Sequence, residues 1–578
     1  MEIISSEKRI KIVTFIIGLF TFGLIVKLFY ISTVQHGHYL AMAENQYIFK
    51  KEVPAERGKI YLSDKNVSVD DFSLNYPVAV NIEKFDVSVI PRNIKNPQDV
   101  AEKLASILSM PKEKIFDQIN NQKPYLPPIA KMISKSNADK IKELKIQGVF
   151  LTSNSSRFYT ESSLASQVIG FVNSEGKGQY GVEGEYNDVL CGKSGEMVGS
   201  KDTKGRMINV GDVQNSVNGS GILLTIDRNI QFMAEQKLGE GLEKYGAESG
   251  SIIVMDPKTG AVLAMANKPD YNLNEFSKVA EEKNDYLFKN PSVSSLYEPG
   301  STFKSMVMAG AIEKGLVSPE TEEVFGKSIQ IGSYEIGTAE DKAFGRETMT
   351  DVLVHSDNVA MVWLGDKMGN DMLYDYIKNF GFGEKTNIDL GGEESGVVRD
   401  KQKWRDINRA TYTFGQGISV TPIQLITAYG ALANGGKLMQ PYVVRAIKDQ
   451  GGVIKTTQPK EVRRVVSEET AAKLSTMMVE VVDRGTGHHA KVEGYKIAGK
   501  TGTAQVPNPE GGYFGDDIKI GSLAGYAPAS DPKFVMLVKI DKPKLAQWGE
   551  TSAGPIFGEM DRWLLNYFEL RPSEKIEN

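Results

Sequence analysis

The chain has 578 residues, of which 41% are hydrophobic and 24% are charged, so it can bury a substantial core and we expect more than one domain. Its formal net charge of -5 offers no basic surface for nucleic acid, and a nucleic-acid partner is not expected. The single cysteine, Cys191, excludes an intramolecular disulfide, and the five histidines form no metal-ligand spacing with it, so we predict no metal site.

The N-terminus carries an uncharged apolar run, IVTFIIGLFTFGLIV, at residues 12–26. Together with the apolar residues around it, this run is long enough to cross a bilayer, and it predicts a transmembrane anchor at 10–31 after a short tail at 1–9. Because basic residues precede the run, the tail is expected in the cytoplasm and the rest of the chain outside the membrane. A cleaved signal peptide is the alternative, although the small residues that resemble a cleavage site, at 41–43, lie far beyond the run.

Residues 39–217 show a mixed pattern without a catalytic constellation. Strand-like runs at 76–91 contribute to the prediction of a strand-rich, non-catalytic domain. The turn-forming sequence NGSG at 218–221 separates this part from a more regular region. We therefore predict a second domain at 218–570, followed by a short polar tail at 571–578.

The second domain is expected to combine one sheet with several helices. A helix-like segment at 228–246 precedes two apolar runs at 251–267 that are joined by a short turn, which predicts a strand hairpin. Three further strand-like segments come late, at 495–506, 522–528 and 533–540, and the middle is helical. Strands at both ends that enclose helices predict a single sheet with helices packed on it.

Ser301 stands at the start of a helix-like segment. It follows a proline and a glycine, and apolar residues then recur at helical spacing. Lys304 shares a helix face with Ser301, so its amine can approach the serine hydroxyl, and the free N–H groups of the helix start favour negative charge there. The alternative is an N-cap serine beside a surface lysine. Because Ser530 and Lys533 have the same spacing, the pair predicts a reactive serine only if partners are found.

Two further motifs supply such partners. The triplet Ser-Asp-Asn at 356–358 begins another apolar helix-like run, where the alternative is again a helix cap. The triplet Lys-Thr-Gly at 500–502 lies inside an apolar strand-like segment, where a lysine is unexpected and a glycine permits close approach of another backbone. In this order, the three motifs resemble the set found in penicillin-binding proteins and serine β-lactamases.

The whole chain also resembles the monofunctional, class B penicillin-binding proteins. The resemblance includes ERGKIY at 56–61, GQYGVEGEYNDVLCGKSGE at 178–196 and FGQGISVTPIQLITAYGALANGG at 414–436. One departure is LSDKN at 62–66, in the non-catalytic part, where the family usually has Asp-Arg-Asn-Gly. The resemblance implies an α/β fold of the α+β type, with a serine β-lactamase-like transpeptidase domain whose central antiparallel sheet is flanked by helices. A strand-rich pedestal of the dimerisation type and one transmembrane helix would precede it.

The resemblance also implies an acyl-transfer mechanism. Ser301 would attack the substrate carbonyl, Lys304 would act as its base, and Ser356 would relay a proton to the leaving group. The backbone N–H groups of Ser301 and Thr503 would form an oxyanion hole. Burial and the nearby Lys500 are expected to lower the pKa of Lys304, because both disfavour its charged form.

The remaining motif residues are expected to bind the substrate. By resemblance, Asn358 would contact the substrate amide, and Lys500, Thr501 and Thr503 would hold the substrate carboxylate. Gly502 would keep the strand open to the ligand. The family implies no cofactor.

The function implied is that of a serine D,D-transpeptidase in a bacterial cell membrane. It would cross-link peptidoglycan stem peptides that end in D-Ala-D-Ala, and β-lactams would acylate it. The resemblance favours septal wall synthesis, with a SEDS-type glycan polymerase and small division membrane proteins as partners. Alternatives are a transpeptidase of the elongation branch, a β-lactamase, and a catalytically silent division scaffold or β-lactam sensor.

Overall fold

The structure is a computed structural model, and it describes residues 6–69, 71–121, 126–201, 207–339, 341–449, 451–506, 508, 512–515 and 518–572. The chain divides into two compact units, residues 1–56 with 192–219 and residues 57–191 with 220–578. Helices and strands are numbered in chain order.

The smaller unit combines an N-terminal helical segment with a small sheet. Its elements are α1 Ser6–Phe29, α2 His36–Tyr47, β1 Ile48–Val53, β8 Gly195–Lys201 and β9 Met207–Gln214. The strands pair antiparallel in the order β1-β8-β9. The helical segment Ser6–Val34 has 29 residues and is the one helix in the described ranges that is long and apolar enough to cross a membrane. It contains the predicted anchor at 10–31 and fits a single-pass membrane anchor.

The larger unit contains the remaining helices and strands. Its helices are α3 Pro97–Leu108, α4 Lys112–Ile119, α5 Lys135–Glu143, α6 Ser166–Ile169, α7 Gly181–Glu185, α8 Asn187–Cys191, α9 Arg228–Tyr245, α10 Phe276–Glu281, α11 Pro291–Ser294, α12 Lys304–Glu313, α13 Met349–His355, α14 Asn358–Asn379, α15 Asp406–Tyr412, α16 Pro422–Ala433, α17 Glu468–Arg484 and α18 Gly549–Tyr567. Its strands are β2 Ile60–Ser63, β3 Tyr76–Val89, β4 Ala130–Ile133, β5 Val149–Tyr159, β6 Phe171–Val172, β7 Gly178–Gln179, β10 Gly221–Asp227, β11 Ser249–Met255, β12 Val262–Lys268, β13 Glu322–Phe325, β14 Ser328–Ile331, β15 Tyr334–Gly337, β16 Gly345–Thr348, β17 Lys437–Met439, β18 Val444–Asp449, β19 Gly452–Thr456, β20 Glu461–Arg464, β21 Ala498–Gln505, β22 Lys519–Ala527 and β23 Phe534–Asp541.

A mixed seven-stranded sheet joins early and late parts of the sequence. Its strand order is β19-β18-β10-β2-β3-β4, and β5 pairs with β3. β10 runs parallel to β2, with Ile222 opposite Ile60, while the other neighbours are antiparallel. β10, which begins at the last residue of NGSG, therefore shares a sheet with β2–β5, which precede that turn, and with β18 and β19, which come much later.

The five-stranded sheet is antiparallel throughout and has the order β12-β11-β23-β22-β21. The predicted hairpin forms β11 and β12, and the three late strand-like segments form β21, β22 and β23. α9 and α18 pack on one face with the side chains of Ile252 and Val254, whereas α16 packs on the other face with Ile253 and Met255. The predicted fold, a central antiparallel sheet flanked by helices, is confirmed.

The α12 helix lies inside the larger unit. Its residues from Lys304 to Ile312 are all buried, and the helix contacts α14 and α17. A helix surrounded on all sides must be apolar around its circumference, which explains the run of methionine, valine, alanine and isoleucine in its sequence. The preceding 3-10 turn, Gly300–Phe303, contacts the edge strand β21. The start of this helix is therefore fixed against the rim of the sheet.

Candidate active site

A cleft of about 400 Å³ lies where the start of α12, the turn between α13 and α14, and β21 meet. It is lined by Gly300, Ser301, Ala339, Phe344, His355, Ser356, Asn358, Phe414, Gln416, Thr486, Thr501, Thr503, Trp548, Glu550 and Thr551. The fold thus brings the three sequence motifs to one place, with the two lysines buried beneath its surface. Three larger cavities, of about 490, 760 and 980 Å³, contain no motif residue, so the chemistry of the lining and not its volume identifies the site.

Ser301 lies in the 3-10 turn that leads into α12, and it is half-buried at the cleft. Gly300 before it has a φ of +57°, a conformation that favours glycine. A Cβ atom at Gly300 would lie 2.8 Å from the carbonyl oxygen of Thr503, so a side chain would push the turn away from β21. Within the described residues, the hydroxyl of Ser301 makes no hydrogen bond and is open to a ligand in the cleft.

Lys304 is fully buried one turn below Ser301, and its amine faces the Ser-Asp-Asn turn. Lys304 Nζ lies 2.6 Å from the backbone oxygen of Ser356, 2.7 Å from Asn358 Oδ1 and 3.2 Å from Ser356 Oγ. Asn358 uses its other amide atom to donate to the carbonyl of Gly337, at 3.1 Å. The amine is therefore held by three oxygens, and two of them can only accept hydrogen bonds.

Ser356 links the two buried lysines. Lys500 Nζ lies 3.0 Å from Ser356 Oγ, on the same hydroxyl that Lys304 contacts, and 3.3 Å from the carbonyl of Thr501. Ser356 has a φ of +58°, which is uncommon for a residue with a side chain, and its N–H caps the end of α13. The end of one helix thus places this hydroxyl between two amines.

Burial disfavours the charged form of both lysines. Burial and the neighbouring Lys500 hold the pKa of Lys304 well below its usual range. Burial lowers the pKa of Lys500 to about 7. The expected causes, burial and a second lysine, are both present at Lys304. A neutral amine is therefore accessible in this site near neutral pH.

The Lys-Thr-Gly strand packs directly on the turn that holds Ser301. Thr501 Oγ1 lies 2.7 Å from Thr486 Oγ1, and Thr503 Oγ1 accepts a hydrogen bond from the N–H of Gly549 at 2.9 Å. A Cβ at Gly502 would lie 2.9 Å from the carbonyl oxygen of Pro299 and equally close to Thr302. Glycine at this position permits the close approach of another backbone that the sequence suggested, here that of Pro299, and its role in ligand access stays a prediction.

Several residues of the site were missed by the sequence interpretation. Glu347 and His355 lie behind the Ser-Asp-Asn turn, with Glu347 Oε1 2.7 Å from His355 Nδ1. Glu298 accepts hydrogen bonds from the N–H of Gly417, at 2.9 Å, and from the hydroxyl of Tyr513, at 3.0 Å. His355 directly precedes the Ser-Asp-Asn triplet and Glu298 precedes Pro299 and Gly300, so adjacency was an available signal for both. No sequence signal marks Glu347.

A histidine–histidine–glutamate cluster lies at the rim of the cleft. One potential ligand atom from each of His488, His489 and Glu550 lies within 4.8 Å of the others. Both histidines are exposed, and His488 and Glu550 already form an ordinary contact of 3.4 Å. Since this contact accounts for two of the three groups and both histidines are exposed, we assign the cluster no metal.

Comparisons with known proteins agree with the site. Residues 250–560 match the family model of the penicillin binding protein transpeptidase domain, and residues 52–224 match that of the penicillin-binding protein dimerisation domain. The chain is 32% identical to Stage V sporulation protein D of Bacillus subtilis, over 98% of this chain and 87% of that protein. It is 33% identical to the peptidoglycan D,D-transpeptidase FtsI of Escherichia coli K12, over 86% of this chain and 82% of that protein.

Solved structures show the same architecture. Penicillin binding protein 3 from Mycobacterium tuberculosis, complexed with aztreonam, superposes with a TM-score of 0.70 at 28% identity, covering 91% of this chain and 100% of that one. Penicillin Binding Protein 2X from Streptococcus thermophilus gives a TM-score of 0.75 at 25% identity, covering 91% of this chain and 81% of that one. Peptidoglycan and β-lactams are the ligands that fit this family. The chain therefore belongs to the class B penicillin-binding proteins and is a peptidoglycan D,D-transpeptidase.

Proposed function

We propose that catalysis proceeds through an acyl-enzyme on Ser301. Ser301 Oγ attacks the carbonyl carbon of the D-Ala-D-Ala peptide bond, the carbon–nitrogen bond breaks, and the terminal D-alanine leaves with a proton on its amine. The amine of a second stem peptide then attacks the ester, which restores the Ser301 hydroxyl. The observation that carries this proposal is the convergence of two buried amines on one hydroxyl next to an open serine.

Lys304 is the proposed base. A neutral amine has two N–H groups and one lone pair. The backbone oxygen of Ser356 and Asn358 Oδ1 can only accept hydrogen bonds and are its closest partners, at 2.6 and 2.7 Å, so they take the two N–H groups. The lone pair is left for a hydroxyl, either Ser356 or the attacking Ser301. The lowered pKa of Lys304 supports this neutral state.

Ser356 is the proposed proton relay. Its hydroxyl lies 3.2 Å from Lys304 Nζ and 3.0 Å from Lys500 Nζ, and it lines the cleft. A proton taken from Ser301 by Lys304 can pass through this hydroxyl to the departing amine nitrogen. Deacylation uses the same groups in reverse, because the incoming amine must lose a proton.

The remaining motif residues are proposed to bind the substrate. Lys500 supplies positive charge below the cleft, and the hydroxyls of Thr501 and Thr503 can donate to the terminal carboxylate. Asn358 is proposed to contact the substrate amide, which requires that it share its present bonds to Lys304 and Gly337. The backbone N–H groups of Ser301 and Thr503 are proposed to stabilise the oxyanion, with a contribution of about 3–4 kcal/mol per donor in comparable sites.

The first experiment is labelling of the detergent-solubilised full chain with a fluorescent penicillin, followed by peptide mass analysis. A β-lactam ring opens on acylation but keeps its leaving amine attached, so the adduct persists. We expect one stable adduct on Ser301 that Ser301→Ala abolishes. Ser530→Ala is the matched control, because exposed Ser530 has the same spacing to a lysine but lies outside the cleft.

Other outcomes of this experiment would select the alternatives. Absence of an adduct on folded wild-type protein would favour a silent scaffold or sensor. Rapid formation and loss of the adduct would favour a β-lactamase, since that activity requires water to attack the ester. A stable adduct on a residue other than Ser301 would refute the proposed nucleophile.

We also propose the placement of the chain in the cell. Lys8, Arg9 and Lys11 support a cytoplasmic N-terminus with the catalytic cleft outside the membrane. In this arrangement residues 39–217 form a non-catalytic pedestal for the transpeptidase part at 218–570. Protease added to spheroplasts should then degrade the catalytic part, whereas a tag at the N-terminus should be cut only after lysis.

Septal wall synthesis is the proposed process, with a SEDS-type polymerase and small division membrane proteins as partners. The support is the resemblance of residues 419–436 and of the compact region after Lys500 to the division branch. Depletion of the chain should then produce filamentous cells, whereas rounded cells would indicate the elongation branch. In a separate experiment, affinity purification of the tagged chain should retain the polymerase. The likeness to a protein named for sporulation favours spore formation as the second candidate, in which depletion would impair spores and not growth.

A further inference from the structure

Two buried carboxyl groups behind Lys304 have an unexplained arrangement. Glu347, on β16, and Asp357, the N-cap of α14, are each no more than 1% exposed. Asp357 Oδ1 accepts a hydrogen bond from the N–H of Ala360 at 3.0 Å, and Glu347 Oε1 lies 2.7 Å from His355 Nδ1. The second oxygen of each group, Asp357 Oδ2 or Glu347 Oε2, is buried and has no hydrogen-bond partner among the described residues.

The two carboxyl groups are neighbours, because a side-chain hydrogen bond to Asp357 is one of the causes that raise the pKa of Glu347. Two ionised carboxylates are both acceptors and cannot bond, whereas a carboxylic acid can donate to a carboxylate. A buried polar atom without a partner costs about 1–3 kcal/mol, so one proton between the two groups removes two such costs at once.

We propose that Glu347 and Asp357 share one proton between Oε2 and Oδ2, and that the pair is a positioning element that leaves a single negative charge beside Lys304. The pair does not touch the substrate and acts through the amine. The inference rests on the proposed role of Lys304 as the base.

The surroundings of Glu347 favour the protonated form. Burial and the negative charge of Asp357 raise the pKa of Glu347, and Asp351 adds to the effect. Asp351 is itself paired with Arg484, at 2.9 Å. Across the strand pair, Glu347 is opposite Glu323, which is not among the causes that shift its pKa. Among the described groups that face Glu347, Lys304 is the buried cation that favours ionisation, and burial and Lys500 lower the pKa of Lys304 itself.

The charge of the pair matters because Lys304 must be neutral to accept a proton. Asp357 and Glu347 both raise the pKa of Lys304, against burial and Lys500, which lower it. Two ionised carboxylates would therefore favour the ammonium form, which cannot act as a base. One shared proton removes one of these charges and keeps the amine available. His355, which lines the cleft, fixes the orientation of Glu347 through its Nδ1.

The proposal can be tested by counting charges. The rate of acylation by a fluorescent penicillin is measured against pH for the full chain in detergent, with Glu347→Gln, Asp357→Asn and the double variant. In each single variant an amide N–H replaces the shared proton and one negative charge remains, so the acid limb of the profile should coincide with that of the wild type. The double variant has no charge, and its acid limb should move to lower pH by about one unit, the size expected for loss of one nearby charge.

Two further variants separate positioning from folding. Glu347→Leu leaves Asp357 without its partner, and acylation should fall about tenfold or more, whereas Glu347→Gln rescues it. Glu323→Gln is the matched control, because it removes a charge from the paired strand without contacting Asp357, and it should leave the acid limb in place. If Glu347→Gln alone moves the limb to lower pH by about one unit, the wild type carries two charges and the proposal is wrong.

An infrared measurement on the resting protein is independent of the reaction. Because burial also raises the pKa of Asp561, which can give a similar band in both proteins, the measurement is the difference between the spectra of the wild type and Glu347→Gln. This difference should contain the C=O stretch of a buried protonated carboxyl group. Its absence from the difference would overturn the shared proton even if Ser301 is acylated. If the band is present but Ser301 is never acylated, the proposed function fails while the proton pair stands.

Discussion

Gly300→Ala should weaken both the fold and the acylation reaction, because the residue before Ser301 has no room for a side chain. A Cβ atom there would lie 2.8 Å from the carbonyl oxygen of Thr503, and an ordinary contact needs at least 3.4 Å, so the turn and β21 must separate by about 0.6 Å. The obstacle is a backbone carbonyl in a sheet, which cannot rotate away as a side chain can.

The expected loss of stability has two parts. A left-handed conformation costs alanine about 1–2 kcal/mol. Overpacking against the carbonyl adds about 1–3 kcal/mol, which gives a total of about 2–5 kcal/mol. The displacement also separates the two proposed oxyanion donors, Ser301 and Thr503. Since a misplacement of 1 Å at a reacting centre can cost about 100-fold, we expect acylation to slow by about tenfold.

Gly315→Ala is the matched control. Gly315 follows α12 at its other end and has a φ of +65°, but no atom of the described part of the chain lies within 4 Å of its Cβ position. It should lose only about 1 kcal/mol, with acylation unchanged. The free energy of unfolding is measured by urea titration and acylation with a fluorescent penicillin, both on the full chain in detergent. Equal losses of stability in the two variants, with normal acylation in Gly300→Ala, would refute the argument from close packing.

Three further predictions concern buried charge. Glu183→Gln should lower the free energy of unfolding, measured by urea titration, by about 3–5 kcal/mol. Glu183 is fully buried and is the carboxylate shared by Arg57 and Arg157, each at 2.7 Å. A loss below about 1 kcal/mol would contradict this reasoning. Asp561→Asn should raise Tm more at pH 8 than at pH 5. Burial holds the pKa of Asp561 well above its usual range, so the stability of the wild type falls as the pH rises towards that pKa. An equal gain in Tm at the two pH values would exclude this cause. Lys500→Met should stabilise most below about pH 7, where both the folded and the unfolded chain carry the lysine charge. The gain should shrink between about pH 7 and 10.5, where only the unfolded chain still binds the proton; a constant gain across that range would argue against titration.

Local parts of the site could be predicted from the sequence. Ser301 and Lys304 are three residues apart on a turn of helix, so their proximity follows from helical geometry alone. The hairpin of β11 and β12 and the late strands were also visible as apolar runs between turn residues, and the sheet confirms them. These features depend on short-range periodicity, which a single sequence records well.

Long-range parts of the site were accessible only through resemblance or not at all. The contact between Ser356 and Lys500 spans 144 residues, and its prediction required the order of the three motifs. Glu347 lies on a four-residue strand with no motif, and only tertiary packing brings its carboxyl group to Asp357. Gly502 was expected to permit close approach of another backbone, but the sequence could not show that this backbone is that of Pro299. In each case the neighbouring residues come from distant parts of the sequence, so the contact could not be predicted from local patterns.

The number of charges in the buried part of the site is limited by the hydration free energy that each charge loses on burial. Two amines and two carboxyl groups, those of Lys304, Lys500, Glu347 and Asp357, lie in one region with at most 1% exposure each. If all four were ionised, each would lose several kcal/mol of hydration free energy. A neutral Lys304 and a proton shared by the proposed carboxyl pair reduce this cost, because fewer charges are then buried. The same arrangement leaves a lone pair on Lys304 to accept the proton of Ser301. Burial therefore lowers the pKa of Lys304 so that it can act as a base, and the proposed pair limits the nearby negative charge that would raise this pKa again.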